Sequence, residues 1–112
     1  MELTSNIPVT LNTKGNTMTA YASGQLTIHN TDWLEEYSSK ISTVIQKHGG
    51  KVIARSTPVR LEGSSDVANV GIIIEFPDTE QANNWYQDPD NQTLVNLRNT
   101  GSDFELILIE GV

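Results

Sequence analysis

Cysteine is missing from all 112 residues of the chain. Its absence excludes disulfide bonds, thiolate nucleophiles and zinc–thiolate sites, and it fits a reducing compartment, so we expect a cytoplasmic protein. No apolar run approaches the ~18 residues that span a bilayer. The N-terminus also lacks the basic start and apolar core of a signal peptide, so we expect no membrane segment and no leader.

Basic side chains are scarce, and the formal net charge is −7. Residues 57–112 contain two basic and ten acidic side chains, with no basic cluster among interleaved aromatics. Because an acidic surface repels phosphate backbones, we expect no nucleic-acid partner. The sequence has no GxSxG, phosphate loop, GxGxxG or HExxH motif. His29 and Asp32 lack a third ligand at a suitable spacing, so we predict neither a metal nor a cofactor.

Periodicity predicts the element order strand, helix, strand, strand, helix, strand. Residues 1–17 show no lasting period and are predicted to be a flexible extension. Residues 18–28 alternate as a half-buried strand, and a helix is predicted from Asp32 to the glycine pair Gly49-Gly50. Residues 51–56 and 70–76 indicate a long hairpin. Asp78 begins a second helical region, Asp88-Pro89 restarts it, and residues 104–109 form the last strand.

This order predicts an α+β domain of ferredoxin-like βαββαβ type over residues 18–112, in which a four-stranded antiparallel sheet carries both helices on one face. A hairpin tip at Gly63 sets the register of the two central strands. It places Lys51 opposite Glu75, Ile53 opposite Ile73, Arg55 near Gly71 and Arg60 opposite Asp66. In that register Arg55 lies on the face away from the helices, with Tyr21, Gln25 and Glu75.

The same alternation leaves the sheet with a second apolar face. Ile73, Ile107 and Ile109 point away from the predicted helices, and no further layer remains in the chain to cover them. Because closed two-fold dimers are the commonest oligomers, a second copy of the chain is the simplest cover. We therefore predict a homodimer.

A set of residues spread along the chain matches a known family in order and spacing. They are Tyr21, Tyr37, His48-Gly49-Gly50-Lys51, Arg55, Glu62-Gly63, Ile74-Glu75-Phe76-Pro77, Glu80, Ala82, Trp85-Tyr86, Arg98 and Glu110-Gly111. Over about residues 19–112 the chain resembles the DUF1330 family, small bacterial proteins of the dimeric α/β-barrel superfamily. The family has no agreed function, so the resemblance implies the fold and a dimer rather than an activity. One position departs from it: the family usually has a tyrosine where this chain has Asn91, so no role of that ring is carried over to this chain.

Several side chains are candidates for a site. His48, at the end of a helical stripe, is either a proton carrier or a helix-capping residue. Arg55, near Tyr21, is expected to hold an anionic group or to form an ion pair across the dimer. Trp85 and Tyr86 are adjacent on one helix, so one belongs to the core and the other to a pocket wall or an interface.

Two further residues complete the candidate set. Glu62 lies near the hairpin tip, and Arg98 is expected to pair with a carboxylate such as Asp103. Two hypotheses follow from the whole set. In the first, each protomer binds a small molecule. The superfamily resemblance implies, by analogy of fold, a cofactor-free oxidation or isomerisation of a small, partly aromatic compound. In the second, the protein is a non-catalytic binding or assembly module whose polar residues serve the dimer interface.

Overall fold

The structure, a computed structural model, describes residues 18–112, so the predicted extension of residues 1–17 lies outside it. Four strands and three helices follow one another along the chain. They are β1 (Ala20–Ile28), α1 (Leu34–Lys47), β2 (Lys51–Ser56), β3 (Val70–Phe76), α2 (Thr79–Gln87), α3 (Pro89–Arg98) and β4 (Ser102–Glu110).

The strands form one sheet in the order β2-β3-β1-β4, and every neighbouring pair is antiparallel. Ala22 of β1 lies beside Ile74 of β3 and Leu108 of β4, and paired residues of this kind share one face of a sheet. Ala22 and Ile74 belong to the same buried cluster as Val44 of α1, which marks this face as the one that the helices cover. The predicted ferredoxin-like α+β fold is confirmed.

One core lies between this face and the helices. Its buried members come from strands β1 and β3 and from all three helices: Ala22, Val44, Ile45, Ile74, Phe76, Ala82, Trp85 and Leu94. The Phe76 and Trp85 rings meet at 5.2 Å between centroids, an aromatic contact that joins β3 to α2.

Helix ends follow local signals at three of the four predicted points. Gly49 has a φ of 77°, which a glycine adopts without strain and which ends α1. The Asp78 side chain accepts a hydrogen bond from the Gln81 backbone N–H at 2.8 Å and begins α2. Asp88 and Pro89 begin α3 as expected. The predicted start of α1 is wrong, because that helix begins at Leu34 without a side-chain cap.

The predicted hairpin register is correct at the end far from the hairpin tip and wrong nearer the tip. Lys51 lies opposite Glu75, but a β-bulge at residue 53 leaves Ala54, not Ile53, opposite Ile73. Arg55 therefore pairs with Ile72, not Gly71, and its row lies on the helix-bearing face, not on the predicted face of Tyr21, Gln25 and Glu75. The extra residue exchanges the two faces of the strand from that point on.

The hairpin connection turns at Gly63, whose φ is 104°. Nearby, the Arg60 guanidinium donates to the backbone carbonyl oxygens of Glu62 at 2.9 Å and Asp66 at 3.5 Å. Arg60 and Asp66 are thus neighbours, as the register predicted, but the arginine contacts the backbone of residue 66 and not its carboxylate.

The other face of the sheet carries no helix. Ile107 and Ile109 of β4 are 60% and 53% exposed there, in rows that also contain Ser23 and Tyr21 of β1. This surface, the open sheet face, also includes Ile73, which pairs with Ser23. Within residues 18–112, no helix is long and apolar enough to cross a membrane.

Candidate functional site

A cleft of about 300 Å³ opens on the helix-bearing side of the sheet, between α2 and the edge strand β4. We call it the α2–β4 cleft. Its walls come from β1, α2, the end of α3, and β4: Ala22, Ala82, Asn83, Trp85, Tyr86, Arg98, Phe104, Leu106, Ile107 and Leu108. This wall contains three aromatic rings, several aliphatic side chains and one charged group. Small-molecule sites are built in this way, from apolar walls with a few polar groups among them.

Trp85 and Tyr86 bring two of those rings to the cleft from consecutive positions of α2. Trp85 is 5% exposed and belongs to the core, whereas Tyr86 is 42% exposed. The adjacency of the two residues predicted this division. The buried indole Nε1 of Trp85 has no hydrogen-bond acceptor among residues 18–112. An unpaired buried donor is unfavourable and is uncommon in native proteins.

Tyr86 lies in the last turn of α2, and two side chains from α3 bind its carbonyl oxygen. Asn91 donates to this oxygen at 3.2 Å and Gln92 donates at 2.6 Å. Asn91 is 1% exposed. At the position where the resemblance leads one to expect a tyrosine, this chain thus has a buried amide that joins α2 to α3.

Arg98, in the last turn of α3, brings a positive charge to the cleft although it is only 6% exposed. Its guanidinium lies 4.3 Å from the centroid of the Phe104 ring and 5.8 Å from that of Tyr37. The hydrogen bonds to the Tyr37 hydroxyl, at 3.4 Å, and to the Asn99 side chain, at 3.5 Å, are long. No carboxylate of residues 18–112 forms an ion pair with Arg98.

The predicted pairing of Arg98 with Asp103 is therefore wrong. Asp103 instead accepts a hydrogen bond from the His29 ring at 2.8 Å. Arg98 is instead buried and contacts the ring of Phe104, the residue after Asp103 in β4. Alternation along β4 places residues 103 and 104 on opposite faces of the sheet.

A second cluster of polar groups joins the end of α1 to the start of α3. The Asp88 carboxylate accepts hydrogen bonds from Lys47 Nζ at 2.7 Å, from His48 Nε2 at 2.8 Å and from the Asp90 backbone N–H at 2.9 Å. We call it the Asp88 cluster. Because an ionised carboxylate only accepts, His48 carries a proton on Nε2. The side chain of Asp88 is 8% exposed and that of His48 is 16% exposed.

These contacts shift the ionisation of two groups in the Asp88 cluster. Hydrogen bonds from Lys47, and then from His48 and the Asp90 backbone, hold the pKa of Asp88 far below its usual range, against the opposing effect of burial. In turn the hydrogen bond to Asp88 raises the pKa of Lys47. The Asp88–Lys47 pair therefore stays charged at neutral pH and links the end of α1 to the start of α3.

The model of the DUF1330 family, a domain of unknown function, matches residues 19–112. The chain belongs to the DUF1330 family. No relative with a curated description matches the chain.

Solved structures support the fold assignment of this DUF1330 protein. A protein of unknown function from Rhodopseudomonas palustris is 18% identical with a TM-score of 0.71, over 85% of this chain and 83% of the other. SnoaB from Streptomyces nogalater, a cofactor-independent oxygenase, is 12% identical with a TM-score of 0.59, over 83% and 92%. A dimeric ferredoxin-like protein of unknown function from Thermobifida fusca is 9% identical with a TM-score of 0.52, over 88% and 96%.

The seven residues predicted for a site are not all in one place. Trp85, Tyr86 and Arg98 line the cleft. His48 lies in the Asp88 cluster and lines neither the cleft nor a wider groove of about 750 Å³ between α1 and α3. The other three lie apart from both: Tyr21 is half-buried on the open sheet face, Arg55 is exposed on the edge strand β2, and Glu62 is exposed in the hairpin connection.

Phe104 and Asp88 are the residues that sequence reasoning missed. Phe104 supports the Arg98 guanidinium, and its position on the helix-bearing face could be inferred from the alternation of β4. Asp88 was interpreted only as a helix cap, and its contact with His48 spans 40 residues of sequence. Within the described part of the chain, no group of three His, Cys, Asp or Glu side chains could hold a metal ion.

Proposed function

We propose that this DUF1330 protein is a homodimer in which each protomer binds a small, partly aromatic molecule in the α2–β4 cleft. The observation that carries the proposal is the cleft itself, which Trp85, Tyr86 and Phe104 line together with the buried Arg98. Its volume of about 300 Å³ is at the lower end of the range for ligand pockets. A compound of one to three rings fits that size.

The open sheet face supports the dimer. Ile107 and Ile109 are each about half exposed and lie two residues apart along β4, on the open sheet face, which carries no helix of the described residues. A similar ferredoxin-like protein from Thermobifida fusca is dimeric. A second copy packed on this face would bury apolar area on both chains, and a stable interface needs about 1,000 Å² or more in total.

A cofactor-free oxidation or isomerisation is the activity we propose for the cleft. Both reactions begin when a carbon acid loses a proton to form an enolate, and the fixed charge of Arg98 would stabilise that anion. In an isomerisation the proton returns at another carbon; in an oxidation dioxygen accepts the electrons. The likeness to SnoaB, a cofactor-independent oxygenase, supports the second reaction. Tyr86 is the other ionisable side chain of the cleft wall, and its phenolate form, not the neutral phenol, would accept that proton.

A binding protein without chemistry is the second candidate. The position of His48 favours it, because the one histidine predicted to move protons is bonded to Asp88 and lies outside the cleft wall. Proton transfer by His48 stays a prediction. Aerobic incubation of a bound ligand with the protein, followed by mass spectrometry, separates the candidates: a new product indicates an enzyme, and an unchanged ligand indicates a binding protein.

The test of the site uses a metabolite panel and a pair of matched variants. A ligand of the native state raises the melting temperature by mass action. Asn83 lines the cleft and Asn84 does not, although both are exposed on α2. Asn83→Trp should narrow the cleft and abolish the ligand-induced rise, while Asn84→Trp should keep it. A rise that survives Asn83→Trp unchanged would place the ligand elsewhere.

A further inference from the structure

We infer that the ligand of the α2–β4 cleft carries one negative charge, as a carboxylate or as an ionised phenol or enol, next to an aromatic ring. This inference rests on the proposed small-molecule site and specifies its chemistry. It follows from the charge balance of the cleft wall, which contains Arg98 and no acidic residue.

Arg98 is a buried cation without a counterion in the described residues. Arginine stays protonated at any physiological pH, so burial cannot neutralise the side chain. A buried charge normally has an oppositely charged partner, because loss of hydration is costly. Here the guanidinium contacts the Phe104 ring, at 4.3 Å from its centroid. It also forms two long hydrogen bonds to neutral oxygens, the Tyr37 hydroxyl and the Asn99 side-chain carbonyl. A cation–π contact offsets only part of the lost hydration.

Unpaired donors in the cleft wall point to the same ligand chemistry. Arg98 Nε and Trp85 Nε1 are both buried and have no acceptor among residues 18–112. Both nitrogens are enclosed by the protein, so a small side-chain rotation on binding would bring them to an acceptor atom of the ligand. A negatively charged oxygen accepts most strongly, since hydrogen bonds to an ionised group are shorter and stronger than neutral ones.

The remaining wall specifies the rest of the ligand. Tyr86 and Phe104 offer aromatic surfaces, and Leu106 and Leu108 offer aliphatic ones. A free inorganic anion would leave these surfaces without a partner, whereas an aromatic anion uses both the rings and the charge.

Matched probe pairs that differ only in charge test the inference on the unmodified protein. We would measure affinities at pH 7 by calorimetry for benzoate against benzamide and for 2-naphthoate against 2-naphthamide. The inference predicts that each carboxylate binds about tenfold or more tightly than its amide, the effect of one charge-assisted hydrogen bond. A third probe, 2-naphthol, distinguishes the two sources of charge: its binding as the phenolate, visible in its absorption spectrum, would identify an ionised phenol or enol.

Variants of arginine provide the second measurement. Arg98→Gln should remove the preference for 2-naphthoate over 2-naphthamide and leave the amide's affinity within about twofold. Arg60→Gln makes the same charge change in the exposed hairpin connection and should keep the preference. If Arg98→Gln fails to fold, the affinities of acid and amide for the unmodified protein still show whether the cleft prefers an anionic ligand.

Two failures are distinguishable. Amides that bind as tightly as the acids would overturn the anionic ligand while leaving the small-molecule site intact. Absence of binding by every acid, amide and phenol, together with no response to the metabolite panel, would overturn the site and this inference with it.

Discussion

The guanidinium of Arg98 lies over the ring of Phe104, 4.3 Å from its centroid, where the last turn of α3 meets strand β4. The ring itself rests over Gly24 of β1, because a methyl group at that position would overlap Phe104 and contact Leu106. Glycine at one strand position thus leaves room for the aromatic ring to pack against the backbone of β1, and the ring in turn contacts a buried cation. The geometry of the cleft depends on this stack of three residues from three elements.

The first prediction concerns the base of that stack. Gly24→Ala should displace the Phe104 ring and destabilise the protein by about 1–3 kcal/mol, the usual cost of overpacking a filled interior site. Ligand affinity in the cleft should fall as well, because Arg98 loses its support. Thr27→Ala, at an exposed position of the same strand, should change the free energy of unfolding by less than about 0.5 kcal/mol. Equal stability of the Gly24→Ala variant and the unmodified protein would contradict the packing described.

The second prediction is a pH dependence set by Asp88. Because contacts with Lys47, His48 and the Asp90 backbone lower its pKa in the folded protein, the unfolded chain binds a proton at higher pH than the folded one does. The stabilisation is therefore fully present above about pH 5. It is lost as the pH falls through the unfolded value, about 3.9, towards the folded one.

Asp88→Asn should lower the melting temperature at pH 7 and flatten this acid limb of the stability curve. Asp90→Asn removes the same charge from a neighbouring side chain that is 72% exposed and lies 3.3 Å from Lys47 Nζ. This control variant should lower the melting temperature less and flatten the acid limb less than Asp88→Asn does. Melting curves from pH 2 to 7 provide the measurement. Parallel acid limbs in the unmodified protein and the Asp88→Asn variant would contradict the assigned role.

Local signals made much of the fold predictable from the sequence, and contacts between distant elements account for what was missed. Gly49 and Asp78 specify helix ends through their own conformations or immediate neighbours. The bulge at Ile53 was missed because an extra residue in an edge strand leaves no mark in its alternation. The surroundings of Arg98 depend on Tyr37, 61 residues away, and on packing that no local pattern encodes.

The third prediction separates structure from chemistry at His48. His48→Gln should keep a hydrogen bond to Asp88, because the glutamine amide can donate in place of the ring, so stability should change by less than about 1 kcal/mol. Ligand affinity in the cleft should be unchanged, since His48 does not line it. If the His48→Gln variant loses a measured turnover while it still folds, dimerises and binds the ligand, proton transfer would instead be assigned to His48.

The fourth prediction concerns the dimer. Ile109→Asp places a charge on the open sheet face, in the row of Tyr21 and Glu75, and should convert the dimer to a monomer in light scattering. Val52→Asp makes a comparable change at a strand residue that is 42% exposed on the opposite face, and it should leave the mass of the dimer unchanged. An unmodified protein that is monomeric at micromolar concentration would contradict the proposed assembly.

The most direct test of the cleft uses the chain's two tryptophans, whose indole N–H groups differ in one respect. Trp33 donates to the Asn30 carbonyl oxygen at 2.7 Å, whereas Trp85 in the cleft wall has no acceptor among residues 18–112. In a nitrogen–proton correlation spectrum, titration with 2-naphthoate should shift the Trp85 indole signal and leave that of Trp33 in place. A Trp85 signal that stays fixed while the ligand binds, or a shift at Trp33 alone, would contradict a ligand site in the α2–β4 cleft.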